Sequence, residues 1–229
     1  MSASEPLVRC KGAARTYGSG PSATVALQPT DCEIWDGARV ALVGESGSGK
    51  STLVHLIAGL DDPTVGEVSW PAIGDRAALR PGPVAIVFQG PSLLPPLNVL
   101  ENVGLPLALA GRPQSEVRER AEAALSRLSI DDLAEKLPEE ISGGQAQRVA
   151  VARAVVGEPR LILADEPTGQ LDHEIGAVVV DELIGAAERC GAALVVATHD
   201  TEMADRLGET WRLRSGRLEK SARVQAWSL

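Results

Sequence analysis

The stretch ARVALVGESGSGKSTLVHLIAGL, Ala38 to Leu60, changes character twice. It opens on a short β-rich apolar run ending in glycine, passes through GESGSGKS at Gly44 to Ser51, and continues as KSTLVHLIAGL, which reads as a helix. A strand, a glycine-rich loop and a helix at the spacing G-x-x-x-x-G-K-[ST] make a phosphate cradle. Gly44, Gly47 and Gly49 let backbone N–H groups close around an anion. Lys50 brings a point charge to the β and γ phosphates of a nucleotide, and the Ser51 hydroxyl can ligate Mg2+. The cradle is taken to comprise Gly44, Glu45, Ser46, Gly47, Ser48, Gly49, Lys50, Ser51 and Thr52.

Downstream, LILADE sets Asp165 and Glu166 at the tip of a buried strand. Beside a phosphate cradle, Asp165 is a natural partner for Mg2+, and Glu166 can orient or deprotonate an attacking water. Between the two motifs lies ISGGQAQRVAVAR, Ile141 to Arg153. Its Ser-Gly-Gly turn opens a run whose Ala and Val residues fall at helical spacing, and such a helix start binds anions through free N–H groups and the helix dipole. A chain that already owns one cradle has no evident use for a second.

The rest of the chain alternates strand and helix. Leu7 to about Val43 holds short apolar stretches broken by Gly and Pro, as expected of strands at a sheet edge, and DDPTVG at Asp61 to Gly66 is a turn. PVAIVFQ, Pro83 to Gln89, reads as a second buried strand. GPSLLPPLNVLENVGLPLALAG is leucine- and proline-rich, and SEVRERAEAALSRLSI is an amphipathic helix in which Glu116 precedes Arg120 by four residues. PRLILADEP, IGAVVVDELIGAAERCG and ALVVATHD then read as strand, helix and strand, with polar residues at the strand ends, where open parallel sheets bind ligands. The tail RLRSGRLEKSARVQAWSL suggests a closing hairpin and a short extension.

The 229 residues suit one large domain, or one domain with an inserted subdomain. A net charge of −9 disfavours affinity built on a nucleic-acid backbone. Cys10, Cys32 and Cys190 lie far apart and outside any CxxC pattern, which fits small buried residues in a reducing compartment. No apolar run approaches the span of a bilayer, and the first residues lack a signal-peptide core. A soluble, cytoplasmic protein is expected.

Taken together, these motifs resemble the nucleotide-binding subunits of ABC transporters, from about Leu7 to Glu219. SGGQ, at Ser142, Gly143, Gly144 and Gln145, followed by RVAVARAVV, is similar to the family signature; Gln89 stands in the Q-loop position, and GQLD, Gly169 to Asp172, in that of the D-loop. His199 in THD matches the switch histidine, and Tyr17 precedes the cradle by the spacing of the aromatic that stacks on adenine; His55 and His173 receive no role. Two positions depart from the commonest pattern: Gln170 stands where Asn or Ala is usual, and Ala146 replaces a frequent Gln.

The resemblance implies an α/β fold: a RecA-like P-loop NTPase core, an N-terminal antiparallel β subdomain and an inserted α-helical subdomain, within one ABC ATPase domain over 1–229. Residues 1–88 and 154–229 would form the β subdomain and core, and 89–153 the insertion. It implies ATP and Mg2+ as cofactors, Glu166, His199 and Gln89 as catalytic residues, and Ser51, Gln89 and Asp165 at the metal. It also implies two subunits packed head to tail, with Ser142 and Gly144 completing the other subunit's γ-phosphate site. The partners would be a second ATP-binding subunit, by preference an identical copy, and an integral membrane permease, with no nucleic acid. The permease would meet the segment after Gln89, where Leu93, Leu94 or Leu97 could reach a groove, and would hold the chain at the inner face of the membrane. The wording LLPPLNVLENVGLPLALAG and ADEPTGQLD is most similar to the subgroup of lipoprotein-release, macrolide-efflux and cell-division ATPases. Import of a small solute is a second possibility within transport. The alternative outside it is a soluble ABC ATPase acting on nucleic acid or the ribosome.

Overall fold

The computed structural model describes residues 5–220; the extension expected after the final hairpin lies outside them. A three-stranded antiparallel sheet, order β2-β1-β4, is made by β1 (Val8–Tyr17), β2 (Thr24–Ile34) and β4 (Val65–Ser69). The larger sheet has the order β5-β6-β7-β3-β8-β9, comprising β5 (Val84–Val87), β6 (Leu161–Asp165), β7 (Ala193–Thr198), β3 (Arg39–Val43), β8 (Glu209–Arg214) and β9 (Arg217–Lys220). Its first five strands are parallel, and β9 returns antiparallel to β8 as the closing hairpin.

The parallel strands bury both faces, with a period of two. Ala41, Ile162, Ala164, Leu194 and Val196 enter one apolar cluster, while Val40, Leu42, Leu161, Leu163, Val195 and Ala197 enter the other. Continuous apolar strands such as LILA and ALVVA are what a sheet covered on both sides requires. The second cluster joins α1 (Lys50–Ile57) and the antiparallel sheet; the first takes the remaining helices. These include α2 (Val99–Leu109), α3 (Gln114–Arg127), α4 (Gly143–Val155) and α5 (His173–Cys190), with the short α6 (Thr201–Asp205) after β7. Helices α2, α3 and α4 pack on one another between β5 and β6 in the chain.

Helix α2 emerges from the leucine- and proline-rich segment, to which the residue pattern alone assigns no element. Asn98 accepts from the Glu101 N–H and the Glu101 carboxylate accepts from the Asn98 N–H, a capping box that satisfies two donors at the helix start. The helix then carries Pro106 within it. Asn102, fully buried, accepts from the Leu94 N–H and donates to the carbonyls of Leu94, Leu97 and Asn98, so one side chain holds the loop ahead of the helix. Leu93 packs against the core and Leu94 stays exposed.

Two local expectations change. Along α3 the ion pair is Arg118–Glu122 at 2.7 Å, and Arg120 reaches Glu158 at 3.4 Å in place of the Glu116–Arg120 pairing that the spacing predicts. Cys10 and Cys32, distant in sequence, are register partners across β1 and β2 and both buried, whereas Cys190 is only half-buried.

Candidate nucleotide-binding site

Parallel strands in register finish together, and ligands bind beyond their carboxyl ends. Val87 pairs with Ala164, Asp165 with Ala197, and Val43 with Thr198. Gln89, Glu166, His199 and Gly44 each follow a strand end by no more than two residues, so residues dispersed over the sequence gather at one edge of the sheet.

The loop from β3 into α1 packs against backbone. A Cβ on Gly49 would lie 2.3 Å from the Ala26 carbonyl oxygen, and one on Gly44 would lie 2.4 Å from that of Leu213. Gly49 also has φ of 103°, a conformation that favours glycine. Lys50 is 4% exposed. Its Nζ donates to the carbonyl oxygens of Gly44 at 2.9 Å and Glu45 at 3.1 Å, and pairs with Glu166 Oε1 at 3.0 Å. A buried ammonium needs such partners, and phosphate oxygens offer the same chemistry. A cleft of about 380 Å³ opens over Gly44 to Ser48, His199 and Arg212.

Glu166 has φ of 46°, a left-handed backbone that costs a non-glycine residue about 1–3 kcal/mol. Its N–H donates to Ala197 O at 2.9 Å and its carbonyl accepts from Gly169 N at 3.0 Å, which holds the turn. Its second carboxylate oxygen lies 3.5 Å from His199 Nδ1.

The Ser51 hydroxyl donates to Asp165 Oδ1 at 3.0 Å. Burial pushes the Asp165 carboxyl above the usual range, opposed by that hydrogen bond and by His55. A carboxylate penalised by burial is one that a bound cation stabilises, and hydroxyl and carboxylate oxygens are the hard ligands Mg2+ takes. The Ser48 hydroxyl is buried with no hydrogen-bond partner, a polar atom within the loop that a ligand could satisfy. These residues fit a nucleoside triphosphate with its magnesium ion.

The turn at Ser142 caps α4. Its hydroxyl accepts from Gln145 N at 3.3 Å, and Gln145 Oε1 accepts from Ser142 N at 2.9 Å. Ser142 and Gly143 are exposed while Gly144 is buried, so the expected anion-binding end faces outward.

The ABC transporter family model matches residues 27–169. The chain belongs to that family. It is 38% identical over 225 residues to the lipoprotein-releasing system ATP-binding protein LolD of Chromohalobacter salexigens, covering 95% of each chain. It is 40% identical over 227 residues to YbbA of Escherichia coli K12, an ABC transporter ATP-binding protein, covering 95% of this chain and 99% of the other. Among solved structures, the dimeric post-hydrolysis state of the ATP-binding cassette MJ0796, bound to ADP and Pi, superposes with a TM-score of 0.85 at 35% identity, covering 96% and 100%. The chain is an ATP-hydrolysing, ATP-binding subunit of an ABC transporter, and the permease-free alternative is set aside. The expected fold class holds: the structural neighbours are P-loop ABC cassettes, with the antiparallel sheet in place.

In this ABC subunit the Gln89 amide lies against the D-loop: a Cβ on Gly169 would stand 2.8 Å from Gln89 Nε2. The residue before it is fixed by α4, since the buried Gln147 donates to Phe88 O at 3.0 Å. Tyr17 is 40% exposed and already oriented. Its hydroxyl donates to Asp61 at 2.8 Å, Arg15 pairs with Asp61 at 2.7 Å, and the Arg15 guanidinium sits 4.7 Å from the ring centroid.

Sequence reasoning missed Asp61, Arg15 and Gln147, whose partners are distant in sequence, and Asn102, whose partners Leu94, Leu97 and Asn98 are local but lie in a segment read only as leucine- and proline-rich. It also assigned nothing to His55, whose Nε2 lies 3.8 Å from Asp165 Oδ2. That position had a signal: His55 follows Ser51 by four residues in α1, so the two share a helix face.

Proposed function

We propose that the cassette works as a head-to-tail pair, the cradle at Gly44 to Thr52 of one subunit being completed by Ser142, Gly143, Gly144 and Gln145 of the other. Supporting this is the outward-facing, capped turn at the start of α4, a second anion site in a chain whose first already holds Lys50, Asp165 and Glu166. Tyr17 stacks on the adenine. Ser51 and Asp165, with Gln89, hold Mg2+, which when bound neutralises phosphate charge. Lys50 exchanges carbonyl partners for phosphate oxygens. Glu166 takes a proton from the attacking water, and His199 holds the γ-phosphate side of the pocket.

The subunit drives a separate integral permease and lies peripherally at the inner face of the membrane. No helix among the described residues is long and apolar enough to cross a membrane. Similarity to LolD and YbbA along nearly the whole chain favours the lipoprotein-release, macrolide-efflux and cell-division subgroup. Residues 89–153 act as the inserted subdomain that meets the permease, and 1–88 with 154–229 as the nucleotide-binding body. Affinity purification from membranes tests the pairing: an integral membrane protein should co-purify stoichiometrically, and its absence with ATPase stimulation by DNA or ribosomes would refute it.

A further inference from the structure

Gly144 lies under a side chain of its own subunit. A Cβ built there would stand 2.6 Å from Cγ2 of Ile175, 3.6 Å from its Cδ1 and 3.9 Å from its Cβ. Ile175 belongs to the first turn of α5, and its N–H donates to Asp172 Oδ1 at 2.9 Å, the carboxylate that caps α5 and closes the D-loop. A β-branched side chain in a helix has essentially one χ1 rotamer, so the Cγ2 methyl cannot swing aside. Ile175 is also 40% exposed, so the contact with Gly144 contributes more to position than to burial. Farther along the same helices Arg148 of α4 pairs with Glu182 of α5 at 2.7 Å. The two helices are thus clamped in mid-length, and the Gly144–Ile175 contact sets the spacing of their starts.

We infer that Ile175 is a positioning residue that fixes the signature turn, Ser142 to Gln145, to the D-loop, Gly169 to Asp172, so that both are presented to the partner subunit as one rigid surface. This rests on the shared-site reading above. It gives Gly144 a role inside its own subunit: the glycine admits the Ile175 methyl, and any side chain there would push the signature turn and the D-loop apart.

A size-exchange series tests it through ATPase kinetics and thermal unfolding of the full chain. Ile175→Ala should lower kcat roughly tenfold, with the KM for ATP and the melting midpoint unchanged, because the subunit's own cradle is untouched. Gly144→Ala should lower kcat further. Gly144→Ala combined with Ile175→Ala should recover about tenfold over Gly144→Ala alone, since the added methyl occupies the vacated space. Ile175→Leu moves the branch away from Cβ at equal volume, and Gly144→Ala with Ile175→Leu should likewise regain activity even if Gly144→Ala alone fails to fold. Folded double variants no faster than Gly144→Ala, or an unimpaired Gly144→Ala, would overturn the inference. Failure of the shared site itself shows elsewhere, in a wild-type specific rate that ignores protein concentration while the protein is monomeric.

Discussion

Glu166 Oε1 lies 3.0 Å from Lys50 Nζ, joining the carboxylate that follows β6 to the ammonium that opens α1. His199 stands 3.5 Å from the other Glu166 oxygen, so one carboxylate links three motifs that span most of the chain. Glu166→Gln should keep ATP binding and slow hydrolysis by about 10²-fold or more, the usual contribution of a general base. Equilibrium binding and single-turnover hydrolysis check the two halves; loss of both together would show that the pair with Lys50 is structural.

Ser142→Arg places a long cation at the outward-facing start of α4. The first nucleotide binds as before, since the Lys50, Ser51 and Asp165 contacts are unchanged, but steady-state hydrolysis should fall at least about tenfold, equivalent to 1.4 kcal/mol. Nucleotide titration and ATPase assays of one preparation check this.

Tyr17→Ala should raise the KM for ATP by about 5- to 150-fold, corresponding to the roughly 1–3 kcal/mol of a base on an aromatic ring. Asp61→Asn should raise it less, because it loosens the Arg15–Tyr17 arrangement and leaves the ring in place. In both, kcat at saturating ATP stays near that of the parent.

Asp61 also shapes the acid side of the stability curve. Burial raises its pKa, but hydrogen bonds from Tyr17 and from the Asp62 N–H, with the charge of Arg15, outweigh this and hold it below the ordinary 3.8. The folded state then binds fewer protons than the unfolded one in that window, so the contribution is present above the unfolded value and lost as pH falls through the depressed folded one. Thermal unfolding between neutral pH and the acid limit should show that Asp61→Asn is less stable at neutral pH and loses less on acidification.

Gln147→Leu removes the donor to Phe88 O and leaves that carbonyl without its partner. Stability should fall in equilibrium urea unfolding, by less than the about 1–3 kcal/mol of a fully buried unsatisfied polar group, because Phe88 is only partly buried.

The sequence was most legible where local chemistry is self-sufficient. LILA and ALVVA are apolar because both sheet faces are covered, and GESGSGKS carries its geometry in its glycines. The register of parallel strands then made the site convergent with no further information. Helix α2 was hidden because Pro95, Pro96 and Pro106 argue against a helix locally, while its start is secured by the Asn98–Glu101 box and the four bonds of Asn102. Asp61 reads as one residue of a surface turn until β1 brings Tyr17 and Arg15 beside it, 44 and 46 positions earlier. Ile175 likewise reads as one apolar residue on an amphipathic helix; its meaning comes from Gly144, on a different helix.

The shared site is tested most directly by measuring the specific ATPase rate against protein concentration, with molecular mass followed by light scattering in the same samples. The account predicts a rate per chain that rises with concentration and saturates as mass approaches that of a dimer, and an ATP-loaded Glu166→Gln protein that stays dimeric on dilution. A full, concentration-independent rate from a chain of monomeric mass would contradict it.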